Sequence, residues 1–233
     1  MTTTTISPAA EKIERCSAQM LLKHPWWASL YLNLIRVETE SVPTMAVDGT
    51  HLFFNPQFTE SLTDKECLGV LLHEVGHIAF LHCYPVRIKW REPRRWNLAC
   101  DKVINAVLLA AGIALPKDLV PPCSLESTAE EEYEKITAEE MDAFFPEDVL
   151  VAGSMDVPGG KTMSEKEWRD VIASSHGMMP DSIARSVEEA TKPRKDWKEE
   201  LARFISSTCK ADHRTWARQS RRIPGMPGWN REY

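Results

Sequence analysis

The stretch Cys67-Leu68-Gly69-Val70-Leu71-Leu72-His73-Glu74-Val75-Gly76-His77-Ile78-Ala79-Phe80-Leu81-His82-Cys83 decides how the rest of this chain is read. Only His73, Glu74, His77 and His82 interrupt an otherwise apolar run. A helix that is apolar all round is buried, and polar groups on it must find partners inside the protein. Within the run lies H-E-x-x-H, formed by His73, Glu74 and His77. On a helix, positions i and i+4 share a face one turn apart, so both imidazoles reach a single ion. Glu74 sits beside them, close enough to act on a water held by that ion. Two neutral histidine ligands, a carboxylate base and an open position are the parts of a zinc site for metal-assisted peptide hydrolysis. Core histidines bonded only to carbonyls would explain one such residue but not the full pattern.

A site of this kind needs a third protein ligand. A second strong helix is expected after Pro93, reading RRWNLACDKVINAVLLAAG and ending at Gly112, a natural position just past a helix end. Asp101 is a carboxylate inside its apolar pattern, and Asn97, Asp101 and Asn105 are spaced by four along one stripe. A buried carboxylate must be paired or bind a metal. Asp101 is therefore the expected third ligand, with Asn97 or Asn105 orienting it; an ion pair to Arg94, Arg95 or Lys102 is the alternative. His82 follows His77 by five residues, about 140° round a continuing helix, and is expected to point away. A metzincin would carry glycine at position 80 and histidine at 83; Phe80 and Cys83 exclude that class. His51, His176 and a Cys100 thiolate are weaker candidates, without a supporting pattern.

Composition narrows the rest. The chain has 233 residues, 43% hydrophobic and 27% charged, as in an ordinary globular protein. A net charge of −6 argues against general nucleic-acid binding. The start, MTTTTISPAAEKIERC, has no apolar signal region, and no run reaches membrane-spanning length. Six scattered cysteines without a C-x-x-C pair read as reduced thiols of a cytoplasmic protein.

Residues 8–38 read as helix, divided at Pro25. Met45-Ala46-Val47, Asp48-Gly49 and His51-Leu52-Phe53-Phe54 read as a hairpin, whose exposed edge can take up an extended peptide. Thr63-x-x-Glu66 is a capping box opening the H-E-x-x-H helix, and Tyr84-Pro85 is expected to close it. RIKWREPRRW reads as a solvated basic connector. The acidic and glycine-rich segment over 124–163 reads as a flap or insertion, 164–209 as helical, and 210–233 as a basic extended tail. The expectation is a single domain over 1–233, α+β and mostly helical, with a small antiparallel sheet packed on the H-E-x-x-H helix. Tyr84 and Arg95 are the candidates for stabilising a transition state.

LLHEVGHIAFLH followed by RRWNLACDKVINAVLLAAGIALP resembles the metallopeptidase domain that precedes a von Willebrand A-like domain in many bacterial and phage proteins. STAEEEYEKI, HGMMP, DWKEELARFI and TWARQSRR extend the resemblance over most of the chain. It implies a zincin-like fold, Zn2+ held by His73, His77 and Asp101, and Glu74 as catalytic base. It also implies association with a MoxR-type AAA+ ATPase or a von Willebrand A-like domain. The expected function is zinc-dependent peptide hydrolysis; the alternative is a catalytically weak or inactive zinc-binding scaffold.

Overall fold

A computed structural model describes residues 6–88, 90–117, 119–144, 150, 163–192, 201, 214–219 and 227–229. The chain divides into two compact units, Met1–Thr191 and Lys192–Tyr233.

The first unit is α+β and mostly helical. Helix α1 (Pro8–Lys23) opens with Ser7, whose hydroxyl accepts from the Ala10 amide at 3.0 Å. It ends at Lys23, with only His24 before Pro25, which starts α2 (Pro25–Tyr31), so proline divides the two helices as expected. The expected continuation to residue 38 does not occur. Ile35–Glu38 is instead a strand, β1. The hairpin follows as β2 (Met45–Val47) and β3 (His51–Phe54), antiparallel with Val47 opposite Leu52. Its turn uses Gly49 at φ 85°, where a side chain would be strained. The Asp48 carboxylate accepts from the Thr50 and His51 amides at 2.9 and 2.7 Å. Strand β1 joins the other side of β3 in parallel, so the sheet is mixed, in the order β1-β3-β2.

Alternation puts the two faces of the hairpin into different cores. Met45, Val47, Leu52 and Phe54 join the main core with residues of α1, α2 and the H-E-x-x-H helix, α4 (Asp64–Ala79). Ala46 and Phe53 pack with Val42 and Leu150 on the opposite face. A short helix α3 (Pro56–Ser61) precedes α4, and a four-residue turn of helix, α5 (Pro85–Ile88), follows it. Helix α6 (Pro93–Ala110) carries the second motif and stops just before Gly112, at φ 73°.

The acidic stretch forms α7 (Ala129–Lys135) and α8 (Ala138–Ala143), each opened by a capping box. These helices pack along α6, with Ala129, Glu132 and Ile136 buried. Residues 145–149 and 151–162 of the expected flap lie outside the described residues. Helix α9 (Glu165–Ser174) starts at the Ser164–Glu167 capping box, and α10 (Asp181–Thr191) starts at Asp181. In the second unit, β4 (Arg214–Gln219) pairs antiparallel with β5 (Pro227–Trp229). Residues 193–200 and 202–209 of the part expected to be helical lie outside the described residues. Among the described residues no helix is long and apolar enough to cross a membrane.

Candidate metal centre

The centre is made where α4 crosses α6. Helix α4 is fixed at its start by the expected capping box: Thr63 Oγ1 accepts from the Glu66 amide, and Glu66 Oε2 accepts from the Thr63 amide at 2.9 Å. Acidic Asp64 and Glu66 in its first turn oppose the positive end of the helix dipole. Two glycines let other backbone and side chains come close. A Cβ on Gly69 would lie 2.0 Å from the Ala114 carbonyl oxygen. A Cβ on Gly76 would lie 2.9 Å from Cγ2 of Ile104, on the facing turn of α6. The glycine between the two histidines therefore sets how near α6 can bring Asp101.

Asp101 does arrive. Nε2 of His73 and Nε2 of His77 are 3.1 Å apart, and Oδ1 of Asp101 lies 3.5 and 3.4 Å from them. All three side chains are buried, as is Glu74, which is 2% exposed. Zinc bonds of about 2.0–2.2 Å put the corners of a tetrahedron roughly 3.3–3.5 Å apart. Two edges of the observed triangle have that size and the third, between the imidazoles, is about 0.2 Å shorter; two imidazoles with a carboxylate form a donor set suited to zinc.

The tautomers fit as well. The Asn105 amide donates to the Val120 carbonyl at 2.9 Å, so its Oδ1 faces Nδ1 of His73 at 3.0 Å. An amide oxygen only accepts, so the His73 proton sits on Nδ1 and the Nε2 lone pair faces the centre. His77 lies well below the ordinary histidine range, first because burial penalises its charge and then because His73 is adjacent. It is held neutral, the state a ligand needs. These residues could together hold a metal ion.

The matching family model, described as "Putative metallopeptidase domain", aligns with residues 8–161, more than half of the chain. The chain belongs to that family. An "Uncharacterized protein" of Thermotoga maritima is 28% identical over 224 residues, covering 78% of this chain and 54% of the relative. The chain thus spans about half the length of that relative. No solved structure matches it.

Other expectations resolve differently in this metallopeptidase-family domain. His82 does not point away. Helix α4 ends at Ala79, and Leu81 takes a left-handed φ of 56°. The Leu81 amide bonds back to Ile78 at 3.0 Å and the His82 amide to His77 at 2.8 Å. That is a Schellman ending with leucine where glycine is usual. It places His82 Nδ1 3.3 Å from His77 Nδ1. Asn105 orients His73 rather than the Asp101 carboxylate.

The remaining candidates are occupied elsewhere. His51 is buried with its Nδ1 3.0 Å from Asp48, and His176 is exposed in a short 3-10 turn. Cys100 packs with Ile88, Trp96 and Val103, and burial pushes its thiol well up, so it behaves as core. The Tyr84 hydroxyl donates to the Met163 carbonyl at 3.0 Å, and Arg95 donates to the Ile136 carbonyl at 3.0 Å. Neither is aimed at the centre by these bonds.

The basic run is a structural clamp, not a solvated connector. Arg87 is buried, bonds the Glu130 carboxylate through two nitrogens at 3.1 and 2.7 Å, and also donates to the Phe80 carbonyl. The Arg91 guanidinium lies 4.6 Å from the centre of the Trp96 ring, and Arg95 4.8 Å from that of Tyr133. The acidic residues of α7 and α8 supply the counter-charges; Lys102, for example, meets Glu140 at 2.7 Å. The hairpin edge is also partly covered, because the Val47 carbonyl accepts from the Leu150 amide at 2.9 Å.

Proposed function

We propose that this domain is a zinc-dependent metallopeptidase in which His73, His77 and Asp101 hold the ion and Glu74 is the general base. One observation carries the reading: two Nε2 atoms and one carboxylate oxygen converge at 3.1–3.5 Å from one another inside the protein. When bound, zinc supplies a Lewis acid that polarises the scissile carbonyl and lowers the pKa of a water toward neutrality. With His73, His77 and Asp101 as its protein donors, the ion would keep a position open, as catalytic sites require.

The chain contributes position and proton transfer. Asn105 holds the His73 ring with its Nε2 lone pair facing inward. Glu74 directly follows His73 and precedes His77 by three residues, which makes it a helix-surface neighbour of His77. In that position it accepts a proton from the attacking water and returns it to the leaving amine. The proposed substrate is a peptide or protein. A MoxR-type AAA+ ATPase or a von Willebrand A-like domain is the proposed partner, on the strength of the family resemblance alone.

The test is Glu74→Gln, which keeps the volume but cannot take the proton. Zinc content and thermal unfolding should match wild type, while hydrolysis of an unfolded protein or peptide library falls by about 10²–10⁴-fold. Equal hydrolysis by both proteins removes Glu74 from the mechanism. No hydrolysis by zinc-loaded wild type replaces the enzyme reading with that of a zinc-binding scaffold.

A further inference from the structure

We infer that His82 is a positioning residue for His77: its Nδ1 accepts the His77 Nδ1–H and selects the tautomer whose Nε2 lone pair faces His73 and Asp101. The inference rests on the metal-site reading above and goes one residue further.

The two proposed histidine ligands are supported differently. His73 is backed by an amide oxygen that has no proton to give, so its tautomer is settled. His77 is backed by another imidazole, 3.3 Å away between Nδ1 atoms, with the ring centres 5.4 Å apart and the planes at 67°. Two neutral imidazoles in this relation share one proton in either of two ways. If His82 donates, the remaining His77 proton sits on Nε2 and blocks the ion. If His77 donates, Nε2 is open. Metal binding selects the second arrangement, and His82 is placed to accept.

The placement is built into the chain. The Schellman ending ties the His82 amide to the His77 carbonyl, so the two residues are joined by backbone and by side chain. On its far side the His82 carbonyl accepts from Nε1 of fully buried Trp96 at 3.2 Å, and the two rings meet edge to face at 82°. Trp96 belongs to α6, the helix that carries Asp101. One helix therefore supplies Asp101 directly and braces His77 through His82. Outer partners of this kind fix ring orientation and raise metal affinity.

The experiment compares zinc affinity of the full chain, by competition with a chelating dye, for wild type, His82→Phe and His82→Gln. Phenylalanine keeps the ring but removes the acceptor; glutamine keeps an acceptor on a flexible chain. The expected result is a loss of about 10–100-fold in His82→Phe, with recovery of most of it in His82→Gln. Wild type is also labelled with 15N in its imidazoles and loaded with zinc. A 15N–15N coupling across the bond from His77 Nδ1–H to His82 Nδ1 is expected, and this measurement decides the matter alone if a variant fails to fold. Equal affinity of wild type and His82→Phe, or no such coupling, overturns the inference and leaves the zinc site standing. Absence of zinc binding by wild type overturns the metal reading and this inference with it.

Discussion

Replacing Gly76 with alanine tests the claim that the helix crossing sets the geometry of the centre. The new Cβ would stand 2.9 Å from Ile104 Cγ2 and 3.2 Å from its Cγ1 and Cδ1. Ordinary carbon contacts begin near 3.5 Å, so α4 and α6 must separate by roughly half an ångström or Ile104 must leave its rotamer. Ile104 is β-branched on a helix and has one strongly preferred rotamer. Overpacking of this sort costs about 1–3 kcal/mol, against a gain of about 1 kcal/mol from replacing glycine inside a helix. The metal-free protein should therefore lose only about 0–2 kcal/mol. Zinc affinity should fall by more, because ligand distances must hold to within about 0.2 Å and Asp101 sits on the helix that is pushed away. Urea unfolding without metal and dye competition with metal separate the two effects. Ile104→Ala removes all three contacted atoms, so Gly76→Ala/Ile104→Ala should bind zinc better than Gly76→Ala alone. If Gly76→Ala binds zinc like wild type, the crossing is not what sets the site.

Arg87→Ala should destabilise the first unit by about 1–3 kcal/mol, because the Phe80 carbonyl loses its donor, while Glu130, a quarter exposed, keeps Arg91 at 3.9 Å; no measurable change by urea unfolding would make the clamp irrelevant. Stability of the metal-free protein should fall with acid. His77 and His82 both sit well below the ordinary histidine value of 6.5, His82 through burial and then the nearby Arg87. Below about pH 6.5 the unfolded chain therefore gains protons that the native one refuses, and unfolding free energy drops by up to about 2.7 kcal/mol per pH unit until the native groups titrate. Urea midpoints flat from pH 7 to 5 at fixed ionic strength would refute this, and no such slope is expected from these groups between pH 7 and 9.

Where the sequence was informative, the signals were local and chemically specific. The Thr63–Glu66 capping box, the Asp48-Gly49 turn, and Gly112 past the end of α6 each specify backbone geometry through the residues beside them. The coming together of Asp101 with His73 and His77 was legible for a different reason: a buried carboxylate on an apolar helix demands a partner. Strand β1 left no comparable mark. Leu30 and Leu34 continue the spacing of a helix into Ile35–Glu38, with no glycine or proline between them. Its partner β3 begins 16 positions later and pairs in parallel, from Ile35 with His51 to Glu38 with Phe54, a non-local choice that four residues cannot encode. The basic run misled because charge patterns were weighed without their counterpart. Glu130 lies far downstream of Arg87, as Glu132 and Glu140 do of Lys102, and only the fold brings them together.

His82 shows why angle arithmetic fails at a helix end. The figure of about 140° from His77 holds only while the helix continues, and α4 stops at Ala79. The usual flag for such a stop is a glycine at the left-handed position, but Leu81 stands there, fully buried in the main core. A non-glycine residue in this conformation costs about 1–2 kcal/mol, and burial of the leucine side chain offsets a cost of that size. The same residue thus hides the helix end in the sequence and holds it in the structure. Once the end is placed at Phe80, the Schellman rule brings the second residue beyond the cap against the third residue from the end, which here are His82 and His77. The contact that braces the proposed metal ligand His77 is therefore a consequence of how the helix terminates, not of the H-E-x-x-H pattern itself.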